Sequence, residues 1–270
     1  MEDLAMRVAV FVAVGLASGF LSGLFGVGGG IIRIPIFLHL LPLFGVAHGL
    51  VMHISVGTSI ALVIPSAMAA TWKQVGLGNL DLKFYRTWAV GMLVGALVGN
   101  VLLPYCSTEI LTAVFAVYLI VVAIYEGFVK GHVTAKVPLD GAVKVAVASG
   151  IGCVAALTGT AGGTVATPVL QAFGVRIATA IATSSATGLV TGTVGTIGAI
   201  LAGWRAQGLP SYSLGYVDLV VFAAMLPAVM IAAPIGVRIG HLLSEAWLRR
   251  SFTILLFIIA VDLIAKLAHW

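Results

Sequence analysis

Residues 23–35 read GLFGVGGGIIRIP, and residues 156–168 read ALTGTAGGTVATP. Aligned on the proline, the stretches share Leu24/Leu157, Gly26/Gly159, Gly29/Gly162, Gly30/Gly163 and Pro35/Pro168. Each lies inside a long uncharged segment. Glycine lets a chain turn sharply and lets a ligand approach the backbone. A duplicated break of this kind in apolar sequence is the mark of a membrane transporter built from repeats, and it points to where the substrate sits.

The surrounding composition supports a membrane setting. The 270 residues are 61% hydrophobic and 9% charged, against roughly 25% charged in a soluble domain. Charge-free runs cover Val8–Ile32, Ile34–Trp72, Thr87–Thr108, Val145–Val175, Ile177–Trp204 and Leu219–Val237. A spanning helix needs about 20 apolar residues. Strand-like alternation is absent, which argues against a β-barrel. The acidic start, MEDLAMR, does not resemble the basic n-region of a signal peptide. Cys106 and Cys153 form neither a metal cluster nor a disulfide pattern, so no metal or cofactor is expected. The net charge of +5 is explained by loop residues, so nucleic acid is not an expected partner. The partners expected are the lipid bilayer and a small anion, with a homodimer left open.

Gly, Pro and charge punctuation predicts ten segments, five per half: 5–25, 31–42, 48–72, 84–103 and 109–128, then 142–158, 164–173, 177–203, 217–239 and 247–268. The fold class expected is an all-α polytopic membrane protein of two repeats, 1–133 and 134–270. Thr58-Ser59 answers Thr183-Ser184, and Leu80-Asp81 answers Val217-Asp218. One side of the membrane would carry Arg7, Arg205 and Lys266. The other would carry Lys73, Lys83, Arg86, Lys130, Lys136, Lys144, Arg176, Arg238, Arg249 and Arg250. Positive loops stay cytoplasmic, which puts both termini outside. Five segments per half is an odd number, so the halves would be inverted. Segments 31–42 and 164–173 are too short to cross, at about 1.5 Å per residue. Each glycine turn therefore reads as the tip of a re-entrant hairpin, entering from opposite faces.

Helix N-termini carry roughly half a positive charge and bind anions. Two facing one site would make an anion cradle. Pro35 and Pro168 are expected in the first turns of the short helices, leaving 28–34 and 161–167 partly unwound. The predicted substrate-binding set is Gly28, Gly29, Gly30 and Arg33 at the first tip, and Thr160, Gly162, Gly163 and Thr164 at the second. Thr58, Ser59, Thr183 and Ser184 on the third segments complete it. Arg33 within the membrane costs about 2.5–3.5 kcal/mol, which a bound anion would offset; snorkelling to an interface is the competing reading. For the hydroxyls, close helix packing competes. His53 is the candidate for proton coupling, against plain packing. Asp81 and Asp218 read as helix caps.

The run Gly26-Val27-Gly28-Gly29-Gly30 with Pro35, Gly162-Gly163 with Pro168, and the two Thr-Ser pairs resemble the TauE/SafE sulphite-exporter family of anion permeases. The resemblance covers nearly the whole chain, although Ala161 stands where the second motif commonly has glycine. It implies transport of sulphur-containing or carboxylate oxyanions, such as sulphite or sulphoacetate-like sulphonates, across a bacterial or archaeal cytoplasmic membrane. A secondary carrier and a passive anion channel both fit the residues. An enzyme does not: no HExxH, membrane-protease Gly-x-Ser-Gly with partner His, or paired acids occur, and Gly26–Gly30 lies in no βαβ context. A C-terminal reporter active only in the cytoplasm should be silent; activity would overturn the predicted orientation.

Overall fold

A computed structural model describes residues 2–25, 29–129, 141–240 and 242–268. The chain forms α1 (Glu2–Phe25), α2 (Gly30–Leu43), α3 (His48–Ala61), α4 (Val63–Gly76), α5 (Leu82–Leu102) and α6 (Thr108–Ile124). After residues 130–140 come α7 (Gly141–Leu157), α8 (Gly163–Ala172) and α9 (Ile177–Gly203). A short hairpin of β1 (Ser213–Leu214) and β2 (Val217–Asp218) then leads into α10 (Leu219–Gly240) and α11 (Glu245–Ala268).

Seven helical stretches are long and apolar enough to cross a membrane among the described residues. Their outer faces carry large apolar side chains at helical spacing, such as Val90, Val94, Leu97 and Val101 on α5, and Ile254, Ile258 and Val261 on α11. A stripe of that width cannot face water, so it faces lipid. The protein is a multi-pass helical membrane protein. One predicted segment, 48–72, is interrupted: α3 and α4 meet at Leu62. Pro65 supplies no N–H for the Ala61 carbonyl, which breaks the ladder there.

Helix partners follow a reciprocal pattern. α1 runs along α10, and α7 runs along α5. Small residues let the backbones meet. A Cβ on Gly23 would lie 2.0 Å from the Ala233 carbonyl oxygen, and one on Gly236 2.0 Å from that of Phe20. The α5–α7 seam does the same: a Cβ on Gly95 would lie 1.9 Å from the Ser149 carbonyl oxygen, and one on Gly152 2.5 Å from that of Met92. Helix α6 pairs with α11, and α4 with α9.

The hairpin differs from the sequence expectation, which starts a helical segment at 217 with Asp218 as its cap; Val217–Asp218 is a strand and helix begins at Leu219. The hairpin pairs Ser213 with Asp218 and Leu214 with Val217. Its tip is pressed into α3 and α9. The Tyr216 amide donates to the Ala199 carbonyl at 3.1 Å, and a Cβ on Gly57 would lie 2.4 Å from the Tyr216 carbonyl oxygen.

Gly95→Ala is expected to cost roughly 1–3 kcal/mol through overpacking. Gly150→Ala, where nothing lies within 4 Å of the added carbon, should stay within about 0.5 kcal/mol. Thermal denaturation of the purified variants measures both; equal midpoints would refute the tight α5–α7 seam.

Candidate functional site

The two glycine stretches fold the same way. Gly29 (φ 77°) and Gly162 (φ 68°) are left-handed residues that start α2 and α8. Side chains with a Cβ rarely adopt this conformation. The Gly29 carbonyl accepts from the amides of Ile32 and Arg33, at 3.2 and 3.0 Å. The Gly162 carbonyl accepts from those of Val165 and Ala166, at 3.2 and 2.9 Å. Neither helix has a side-chain cap, so first-turn N–H groups are directed at each tip.

The prolines are not in the first turns. Helix begins at Gly30 and Gly163, so Pro35 and Pro168 each occupy a sixth helical position. Residues 30–34 and 163–167 are helical, against the expectation that they are unwound. The glycine cap sets the helix start, because its carbonyl already accepts the first helical amides. Each proline instead deprives a carbonyl one turn earlier, on Ile31 or Thr164, of its intrahelical donor.

The tips touch. A Cβ on Gly30 would lie 2.7 Å from the Gly159 carbonyl oxygen, 3.1 Å from Thr160 Cα and 3.3 Å from Ser59 Oγ. Ser59 Oγ donates to the Gly159 carbonyl at 3.0 Å. Gly159 (φ 57°) lies against Val56 of α3 and Ile34 of α2. Arg33 is 2% exposed and folds back over the first tip, so that a Cβ on Gly29 would sit 2.8 Å from its Nη2.

A cavity of about 550 Å³ lies on one side of the second tip. Ala161, Gly163, Thr164 and Thr167 form its floor, and Ser184, Ser185 and Ser66 add hydroxyls. Thr167 Oγ1 donates to Ser184 Oγ at 2.8 Å. Arg249, Gln171 and Glu126 also line it, where α8 and α6 end and α11 begins. At about 30 Å³ per water, the space holds a small oxyanion with several waters. The other side of the same tip differs. Thr160, Gly162 and Val165 face an almost wholly apolar groove of about 500 Å³ between α6 and α7.

The hairpin lies at the other end of α10 from Arg238 and is tied to α1 and α3. Asp218 is fully buried and ion-paired to Arg7 of α1. Its carboxylate accepts from the Val220 and Val221 amides, capping α10 as expected. Its own amide donates to Thr58 Oγ1 at 3.0 Å. Burial pushes the Asp218 carboxyl up from its ordinary value, against the pull of the Val221 amide and Arg7.

The predicted residues therefore fall in different places. Gly29, Gly30, Arg33, Ser59 and Thr160 meet where the tips touch. Gly163, Thr164 and Ser184 line the cavity, while Gly162 and Thr160 face the groove. Thr58 is engaged with the hairpin, and Thr183 is buried with no hydrogen-bond partner for Oγ1 among the described residues. Gly28 lies outside the described residues. His53 is buried, its ring 4.9 Å from that of Tyr216 and its Nε2 3.2 Å from the Leu103 carbonyl. The sequence reading missed Arg249, Gln171 and Ser66. Arg249 had a signal, an arginine pair at a segment start, which was absorbed into the loop-charge count.

The chain matches the family model described as "Sulfite exporter TauE/SafE" over residues 11–263. It is 27% identical over 257 residues to a probable membrane transporter protein of Haemophilus influenzae, covering 94% of this chain and 96% of that one. It is 25% identical over 251 residues to a probable membrane transporter protein of Methanocaldococcus jannaschii, covering 92% and 91%. No solved structure matches.

Cysteines placed at Ser185 or Gln171, with Cys106 and Cys153 replaced by serine, should react with a membrane-impermeant maleimide only from the face of Arg249. Equal labelling from both faces would refute a one-sided cavity.

Proposed function

The chain belongs to the sulfite exporter TauE/SafE family of membrane transporters, and on that premise we propose that it is a secondary transporter of small sulphur-containing or organic oxyanions. Sulphite and sulphonates, including sulphoacetate-like ones, are the substrates proposed. The observation that carries this reading is the contact of the α2 N-terminus at Gly30 with residues 159–160 of the turn that leads into α8, each of the two helices being begun by a left-handed glycine. Their N–H groups and end charges suit an oxyanion without a metal-like binding strength.

In this reading the anion enters through the cavity, past Arg249. It is held near the bilayer midplane by the first turn of α8 and the hydroxyls of Thr164, Thr167 and Ser184. It then reaches the tip contact, where Gly29, Gly30, Arg33, Ser59 and Thr160 converge. The two parts, 1–133 and 134–270, act as inverted repeats. The exchanged packing of α1 on α10 and α7 on α5 supports that division. The protein resides in the cytoplasmic membrane, with the cavity facing inward and both termini outside, as the excess of Lys and Arg on the cavity face supports. A cavity open to one face favours a carrier, since a channel needs a path open to both.

Purified protein in liposomes should move sulphite or a sulphonate at carrier rates. Arg33→Ala should abolish anion-induced thermal stabilisation without lowering the midpoint of the anion-free protein by more than a few degrees. Normal stabilisation by sulphite in that variant would remove Arg33 from the site. Single-molecule current steps would overturn the carrier in favour of a channel.

A further inference from the structure

The hairpin's tie to α1 and α3 has three parts. The Asp218 amide donates to Thr58 Oγ1 of α3. The Asp218 carboxylate pairs with Arg7 of α1. Arg7 also lies over the Phe44 ring, its Cζ 5.9 Å from the centroid. Asp218 is the residue immediately before α10, the helix along which α1 packs.

The same three parts occur on the open face, but apart. Asp81 is the residue immediately before α5, the helix along which α7 packs. Asp81 is exposed and only caps its helix, accepting from the Phe84 amide at 3.0 Å. Lys144 of α7 lies over the Phe84 ring, its Nζ 4.2 Å from the centroid and three residues from Asp81. Among the described residues it makes no ion pair with Asp81. Thr183 is fully buried, and among the described residues its Oγ1 has no hydrogen-bond partner.

The helices already bring these groups into register. Tyr85 Oη donates to the Ala186 carbonyl at 2.9 Å, and Trp88 Nε1 to Thr187 Oγ1 at 3.1 Å. Asp81 precedes Tyr85 by one turn, and Thr183 precedes Thr187 by one turn. A buried hydroxyl without a partner is costly, so a state that supplies its donor is favoured by that bond.

We propose that Asp81, Thr183 and Lys144 are the latch of the second gate. When the cavity closes, the Asp81 amide docks on Thr183 Oγ1 and its carboxylate pairs with Lys144, while the Asp218–Thr58–Arg7 latch releases. The pairing of Thr58-Ser59 ties each latch to the substrate. Ser59 holds the Gly159 carbonyl of the second tip while its neighbour Thr58 holds the hairpin. Ser184 likewise meets Thr167 of α8, beside Thr183. This assignment rests on the carrier reading, and its test is independent of any substrate.

Nitroxides at Leu77 and Ile181, both exposed, report the loop before Asp81 against the start of α9. In nanodiscs without added anion, pulsed electron–electron distances should fall into two populations. Thr183→Val should reduce the shorter population at least tenfold, while Thr183→Ser retains it. Lys144→Gln should reduce it severalfold, with Lys144→Arg retaining it. Thr58→Val, which removes the opposite latch, should enrich it. A single distance in the unsubstituted protein, or an undiminished short population in Thr183→Val, overturns the latch. Sulphite flux measured on the same protein in liposomes judges the transport reading separately: no flux overturns that reading while the distances still decide the latch.

Discussion

The contact between the two glycine tips is the constraint on which the rest of the structure depends. Irregular backbone within a membrane must be buried in protein or line a wet cavity. Here the two breaks are packed against each other. Gly30 has no room for a side chain because the Gly159 carbonyl occupies that space. Ser59 of α3 then ties the Gly159 carbonyl down. Three elements are thereby fixed at one point, and the helices that carry them are fixed with it. The close seams of α1 with α10 and α7 with α5 hold the hairpins at the depth where the tips meet.

The second tip divides two unlike environments. Successive residues of one strip of backbone face a polar cavity on one side and an apolar groove on the other. The cavity side presents the hydroxyls of Thr164, Thr167 and Ser184, while the groove side is lined almost wholly by apolar groups. The hairpin 213–218 adds a buried carboxylate, Asp218. A buried charge is tolerated only when paired and hydrogen-bonded. Asp218 has Arg7 and two amides, so the hairpin is held by interactions that are lost together when one partner leaves.

Much of this was legible in the residues. Uncharged runs of about 20 residues give the helices, because a membrane leaves the backbone no other way to satisfy itself. The doubled glycine pattern gave both tips, since only glycine relieves the left-handed turns at 29 and 162. Proline was misread: Pro35 and Pro168 looked like helix starts, but the glycine carbonyls begin the helices five residues earlier. The strands at 213–214 and 217–218 are too short to leave a pattern; Gly215 at φ 55° makes the two-residue turn, and packing against α3 and α9 fixes its place. Arg249 reads as a loop charge beside Arg250, and the cavity it lines is built by α8 and α9, far from it in the chain.

By itself the sequence determined that the chain is a helical membrane protein with two matching breaks, because hydrophobic length and glycine placement act locally. It also determined the family. Tertiary structure alone decided that the tips touch, that Thr58 accepts from the hairpin while the Thr183 hydroxyl finds no partner among the described residues, and that the cavity lies beside the second tip. Those outcomes depend on distances between residues far apart in the chain. The same Thr-Ser pair and the same capping aspartate occur on both sides, so only the packing of the helices around them distinguishes a closed latch from an open one.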